Sequence, residues 1–487
     1  MASNVAFEQT ATTPSHTPYF FPSSHCQTLT LSHMDAAALS RVRDIFSKQP
    51  IYRNGLDAPP KVFFSITDFM TPLPSQTITD IAHAITLMYN FQQADLLVSI
   101  ADRSSGAICH EVARLTGLPY SLANWYPPGS PGEVEVEKCA GFSGTGHIYV
   151  NGVRKGKRVA VVMDILKTGR TAGNLVDALL RAGCTVVACA FAAEIVDAGG
   201  RQFEHLVAWG GVIVAAVSVL IRGERTKDES SSSLVISGSS DNADPSAEVC
   251  VSTSNPYRLL NPASATIRRI KRLSPDDVQA MCDEVQRGFV GVPIIVNPKL
   301  AYPYSFFQLT DFVPVMTADV VETMADLCVY FADFERCDVI VSEADRGGAP
   351  LAQAVARRTN KPFVLANWYP LGDGIGAVSK ASVGFSGDGQ IVVNGISPGD
   401  RVIFVDDMLS SGGTAEGVLK SVLQLGGVPL EGVFVSEKLY PAAAANRLPQ
   451  RKGKERLAKG FPELIVTTVV QFIADGERTT LPSIRVG

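Results

Sequence analysis

The feature that most constrains this chain is that it repeats itself. Residues 63–194 align with residues 306–437 at a constant offset of 243, without a gap. "TDF" at 67–69 returns at 310–312, "LANWYP" at 122–127 returns at 365–370, and "GFSG" at 141–144 returns at 384–387. Trp125 and Trp368, two of the three tryptophans, hold equivalent places. Solenoid units run about 20 to 50 residues, so a repeat this long indicates duplicated domains of ordinary size. Between the copies, residues 226–255 are rich in Ser, Asp and Asn and contain no aromatic residue, the composition of a flexible linker. The expected organisation is a polar tail over 1–30, one domain over 31–225, a linker over 226–255 and a second domain over 256–487. Such copies are free either to move or to pair.

Composition narrows the partners. With 487 residues, 46% hydrophobic and 19% charged, the chain can bury a large core in two or more domains. A formal net charge of −5 argues against broad nucleic-acid binding and leaves room for a local basic pocket around a small polyphosphate. Nine scattered cysteines without a CxxC pair point to a reduced, cytoplasmic setting and away from zinc. No Lys or Arg precedes Arg41, which argues against a secretory or transit leader. The most apolar run, residues 208–221, is too short to cross a bilayer and reads as a buried strand. Neither a membrane nor a nucleic acid is expected as a partner.

Within each copy, β-branched runs alternate with helical segments. In the second copy these are "CDVIVSEA", "APLAQAVARRT", "PFVLANW", "VIFVDD", "TAEGVLKSVLQLGG" and "GVFVSEK". The alternation predicts an α/β fold, a mostly parallel sheet flanked by helices, in each copy. Ligands of such sheets sit beyond the carboxyl ends of the strands. "VIFVDDMLSSGGT" at 402–414 ends an apolar strand on two carboxylates and continues into a loop nearly without side chains. Backbone N–H groups from Ser410 through Ser411, Gly412 and Gly413 to Thr414, leading into a helix, make a concave donor array for a phosphate. Asp406 and Asp407 would be repelled by that phosphate, but they can accept hydrogen bonds from the vicinal hydroxyls of a sugar attached to it. Phosphate plus diol describes ribose 5-phosphate. The loop is neither a Walker A loop nor a GxGxxG fingerprint.

The thirteen residues resemble, at every position, the phosphoribosyl diphosphate (PRPP) motif of type I phosphoribosyltransferases. The resemblance extends over nearly all of each copy and is nearest to the adenine and related purine enzymes. By that resemblance "SEADRGGAPLA" at 342–352 is the pyrophosphate loop, in which Arg346, Gly347 and the following backbone hold the diphosphate, and the Ala344–Asp345 peptide is cis. "FFQLTDFVPVM" at 306–316 resembles the hood over the base, with Phe307 placed to stack on a purine, although an aromatic there is as often core as ligand-facing. Lys380 is the one basic residue of the mobile loop at 371–389. Asp406, Asp407 and Arg346 carry the implied catalysis, displacement of pyrophosphate from C1′ of PRPP by a ring nitrogen through a ribose cation. Mg²⁺ is the implied cofactor, carried on diphosphate and ribose oxygens with no direct protein ligand assigned.

Departures from the family pattern accompany these matches. Asn367 stands in "ANWYP" where the family carries positive charge, and the mobile loop lacks the glutamate of adenine enzymes, which leaves the base open. Trp368 and Tyr369 read as packing residues. In the first copy Met163 replaces the first aspartate, Asp164 is retained, "KTGRT" at 167–171 keeps a usable phosphate loop, and "ADRSSG" at 101–106 keeps Arg103 but loses two glycines. The expectation is a purine phosphoribosyltransferase of nucleotide salvage, competent in its second half, with a degenerate first half as built-in partner and a homo-oligomer still open. Across that pair, Lys138 of the first copy would reach the diphosphate in the second. A non-catalytic PRPP-sensing regulator is the alternative, and a PRPP synthetase ranks third.

Overall fold

The structure of the protein, a computed structural model, describes residues 41, 42, 46, 51–52, 61–62, 65–124, 132–136, 147–195, 213–222, 234–236, 265–294, 305–368, 377–383, 387–440 and 452–481. The polar tail, Trp125, Lys138, Tyr369 and most of the linker lie outside the described residues.

The first half opens with a two-stranded ribbon, β1 (Ile51–Tyr52) and β2 (Lys61–Val62), followed by α1 (Ser65–Asp68) and α2 (Ser75–Met88). Next come β3 (Leu96–Ile100), α3 (Ser105–Thr116), β4 (Tyr120–Ala123) and a hairpin of β5 (Val134–Val136) and β6 (Ile148–Val150). β7 (Arg158–Leu166), α4 (Arg170–Arg181), β8 (Thr185–Ile195), β9 (Ile213–Arg222) and β10 (Leu234–Ile236) complete it. The second half holds α5 (Ala265–Ile270), α6 (Pro275–Arg287), α7 (Gln308–Asp311), α8 (Ala318–Phe331), β11 (Val339–Glu343), α9 (Gly348–Thr359) and β12 (Phe363–Ala366). A second hairpin, β13 (Ala377–Val383) with β14 (Gly387–Val393), precedes β15 (Arg401–Leu409), α10 (Gly413–Gln424), β16 (Val428–Leu439), α11 (Gly453–Gly460), β17 (Ile465–Asp475) and β18 (Arg478–Thr480).

Two six-stranded sheets result, ordered β4-β3-β7-β8-β9-β10 and β12-β11-β15-β16-β17-β18. All neighbours are parallel except the last strand of each sheet. β3 and β11 are buried along their whole length and β7 and β15 almost so, which is why they read as continuous apolar runs rather than alternating ones. Even a register shift recurs at corresponding places, Val159/Ala160 and Val402/Ile403.

The boundary expected at 225 falls short, because β10 lies at 234–236 and pairs antiparallel with β9 from Leu234↔Arg222 to Ile236↔Leu220. An edge strand is held by main-chain hydrogen bonds that any residue except proline can make, so Ser-rich surroundings did not announce it.

The halves pair. One cluster of buried apolar residues runs from Val42 through Tyr120 and Phe312 to Phe472, spanning both sequences. Leu73 and Phe363 exchange backbone hydrogen bonds at 2.8 and 2.9 Å, and Tyr120 N–H donates to Met316 C=O at 2.9 Å. Leu73 corresponds to Met316 and Tyr120 to Phe363 in the repeat, so the contact is made twice, as an isologous interface requires.

Candidate active site

The second half assembles its site where β11, which ends on Glu343, lies adjacent and parallel to β15, which carries Asp406 and Asp407 in its last four residues. Asp406 and Asp407 are 6% and 7% exposed, and Glu343 is 7% exposed. Burial pushes the Asp406 carboxyl well above the ordinary range, and the negative charges of Asp345 and Glu343 push the same way. Burial likewise raises Asp407, with Asp406, Asp345 and Asp311 adding to it. Asp345 rises to about 6, again chiefly by burial, against the Gly348 N–H that it accepts at 2.6 Å and the Arg346 charge. Glu343 is raised mainly by burial and by Asp345, although its carboxylate accepts from the Trp368 indole N–H. Four carboxyls thus share a poorly hydrated space, and a group that donates hydrogen bonds or carries positive charge there relieves their repulsion.

Beyond β15 the chain turns through Ser410, Ser411 and Gly412 into α10. Gly412 has φ +72°, a left-handed conformation that glycine alone adopts freely. A Cβ there would lie 3.1 Å from the Gly453 carbonyl, and a Cβ on Gly453 would lie 2.7 Å from the Ser410 carbonyl. The start of α11 therefore rests on the loop through glycine against glycine. α10 begins at Gly413, whose N–H donates to Ser411 Oγ at 3.4 Å. Thr414 and Ala415 fall in its first turn, where helix N–H groups have no intrahelical acceptor.

Gly347 closes the site from the side. A Cβ at this position would overlap the Asp407 carboxylate, so only glycine lets the loop after β11 lie so near that acid without displacing it. The first half shows the alternative. There Ser104 replaces Gly347, and its hydroxyl donates to Asp164 Oδ2 at 3.3 Å. Asp164 is raised to about 6, chiefly by burial and then by Asp102. Met163 stands for Asp406 and Ile100 for Glu343, so two of the four acids are gone and a third is capped from within.

Two expected residues sit differently. Arg346 is fully buried, its Nη1 3.4 Å from Asp311 Oδ1 and its Nη2 3.5 Å from the Tyr149 carbonyl of the first half. Its guanidinium is therefore not displayed in an open pocket. Phe307 is 1% exposed and packs against Phe289 and Phe472, with centroids 5.1 and 5.0 Å away. The hood expected to stack on a base is here part of the core, because a bare phenyl ring gains most by complete burial. The Ala344–Asp345 peptide is not cis; among the described residues the cis bond is Val313–Pro314. Lys380 lies on β13, paired through its backbone with Gln390, and its side chain is outside the described set. Trp368 is buried, as a packing residue would be.

Glu343 and Asp311 were missed as members of the site. The signal for Glu343 lay in the parallel ending of two neighbouring strands, "VSEAD" beside "FVDD". Among the described residues no group of three His, Cys, Asp or Glu side chains is arranged to hold a metal ion.

No family model matches the chain. Individual proteins do. A hypoxanthine/guanine phosphoribosyltransferase of Ferroglobus placidus is 34% identical over 158 residues, 32% of this chain and 82% of that protein. Another, of Methanohalophilus mahii, is 31% identical over 189 residues, 38% of this chain and 93% of that protein. Among solved structures, adenine phosphoribosyltransferase from Rhodothermus marinus matches 40% of this chain and 99% of its own with 21% identity and a TM-score of 0.31. The motif at 402–414 and identity of this order over most of a relative's length agree: the chain belongs to the type I phosphoribosyltransferase family, among the purine enzymes.

Proposed function

We propose that the chain consists of two tandem phosphoribosyltransferase domains and transfers the phosphoribosyl group of PRPP to a purine base at one site, in the second half. The observation that carries this is the contrast at equivalent positions. Asp406 and Asp407 stand as a pair beside Gly347, which has no side chain to cap them, whereas Met163 and the Ser104-capped Asp164 leave the first half without a hydroxyl-binding pair. Asp406 and Asp407 accept from the ribose hydroxyls, and the N–H groups from Ser410 to Thr414 take the 5′-phosphate. Gly347 lets the diphosphate side close in, and Arg346 supplies its positive charge. The base nitrogen forms a bond to C1′, the bond from C1′ to the diphosphate oxygen breaks with its electron pair leaving on pyrophosphate, and the nitrogen's proton passes to solvent. Mg²⁺ brought in on the diphosphate would neutralise the leaving group's charge without a direct protein ligand.

The names of the relatives put hypoxanthine and guanine first among bases to test, beside the adenine that the sequence resemblance suggests. The test is pyrophosphate release by the purified chain from PRPP and Mg²⁺ with adenine, hypoxanthine, guanine and xanthine in turn. Turnover with one base and none without base is the expected result. The buried, paired Arg346 is the observation that favours a PRPP sensor, and binding of PRPP without turnover on any base would establish that reading instead.

A further inference from the structure

The repeat contains an Asn-Gly pair that the reaction does not use, Asn151-Gly152 and Asn394-Gly395, each following the second strand of a hairpin. Each pair crosses to the other half. Asn151 Nδ2 donates to the Asp311 carbonyl at 3.1 Å, and Asn394 Nδ2 donates to the Asp68 carbonyl at 2.9 Å. Asp311 and Asp68 end the short helices α7 and α1, and terminal carbonyls of a helix need donor partners from outside it. Both glycines have positive φ, +73° and +72°. A Cβ on Gly152 would lie 2.6 Å from the Phe312 carbonyl, and one on Gly395 would run into the Phe69 carbonyl. Asparagine supplies the donor and glycine the approach, once in each direction.

The consequence differs between the two directions because the acids at the ends of α1 and α7 serve different arginines. Asp311 is fixed by its own Phe307 N–H at 3.0 Å and Thr310 hydroxyl at 2.7 Å, both on Oδ2, which leaves Oδ1 to Arg346. The other end of the Arg346 guanidinium meets the Tyr149 carbonyl, two residues before Asn151. One short stretch of the first half therefore touches both the acid that holds Arg346 and Arg346 itself. On the mirror side Arg103 pairs with Asp68, in the half that has Met163 in place of an aspartate.

We propose that residues 149–152 of the first half are a positioning element for Arg346 of the second, so that the diphosphate end of the competent site is built by both halves. This rests on the function proposed above and explains why a degenerate copy is retained. Arginine's planar fork gains from being held in one orientation before the ligand arrives, and its two anchors come from different copies.

The mirror symmetry provides the control. Full-length Asn151→Ala and Asn394→Ala each lose one buried inter-half hydrogen bond, so their melting temperatures should fall alike. Asn151→Ala should raise the KM for PRPP about fivefold, the worth of one such hydrogen bond, and leave the KM for the base unchanged. Asn394→Ala should leave both unchanged. Equal effects of the two substitutions on KM for PRPP, or none from Asn151→Ala, would overturn the proposal by reducing these contacts to ordinary packing. If Asn151→Ala does not fold, Asn151→Ser, shorter but still polar, takes its place. If the wild-type chain turns over no base, the catalytic reading fails separately, and calorimetric titration with PRPP and Mg²⁺ makes the same comparison through binding. A wild-type chain that binds no PRPP overturns both.

Discussion

At the scale of single residues, the site is a concentration of charge that folding alone would avoid. Asp345, Asp406, Asp407 and Glu343 all have folded-state pKa values above those of the unfolded chain. The sign follows from linkage: a carboxyl that is harder to ionise when folded costs no stability below its unfolded pKa. The cost grows as pH rises towards the folded pKa, which for Asp345 is about 6, and is complete above it. The Asp406→Asn, Asp407→Asn double variant should therefore melt higher than wild type at pH 8, with the gain shrinking towards pH 4, while losing nearly all pyrophosphate release. Thermal melts across that range and the release assay check both halves of the statement; a variant that is active, or destabilised at pH 8, would remove the site assignment. Gly347→Ser tests the other side by giving the second half the serine that caps Asp164 in the first. Its backbone φ of −92° is open to any residue, but the added Cβ must displace the Asp407 carboxylate, so the expected result is weakened PRPP binding in calorimetry together with a lowered melting temperature.

At the scale of elements, the strand, loop and helix from Arg401 to Gln424 were legible because everything they need is local: an apolar run, an acid pair, a left-handed glycine and a helix start. α11 adds a non-local part, since it reaches the loop only through the close approach of Gly453 to Ser410. Gly453→Ala should displace α11, weaken binding of the 5′-phosphate and lower the melting temperature, with little change in KM for the base. An unchanged KM for PRPP would show that the loop stands without this support. What the sequence hid was hidden for the same reason in reverse. Phe307 is core rather than ligand-facing because Phe289 and Phe472, 18 residues before it and 165 after it, close around it. Arg346 is buried because its acid lies on α7 and its second acceptor in the other half. β10 was invisible because an edge strand of three residues carries no side-chain pattern.

At the scale of the whole molecule, the two halves share one buried core, and the side chains that meet across it differ at equivalent positions of the repeat. His110 of the first half lies 3.0 Å from Glu322 of the second, and Arg357 of the second lies 3.7 Å from Glu111 of the first. Burial pushes the Glu322 carboxyl up, but Arg358, His110 and Arg357 outweigh it and hold it well below its ordinary value. In the repeat, His110 corresponds to Gln353, Glu322 to Thr79 and Glu111 to Ala354, so a dimer of two second halves would set Gln353 where His110 meets Glu322. On the proposed assignment of one competent site per chain, titration of the full chain with PRPP and Mg²⁺ should give one strong site, and two equal sites would show that Met163 and Ser104 do not disable the first copy. Residues 256–487 expressed alone would expose the apolar surface that the first half covers in the common core, and would lose both Asn151 and the Tyr149 carbonyl behind Arg346. Self-association can re-cover the apolar surface, because the Asn394-Gly395 pair and the Asp311 helix end are both present in that fragment. It cannot restore the His110–Glu322 contact. The fragment should accordingly melt below the full chain, at a temperature that rises with protein concentration, and its KM for PRPP should fall towards the full-chain value as the fragment dimerises. A monomeric fragment with full activity and full stability would show that the first half contributes neither core nor positioning to the second.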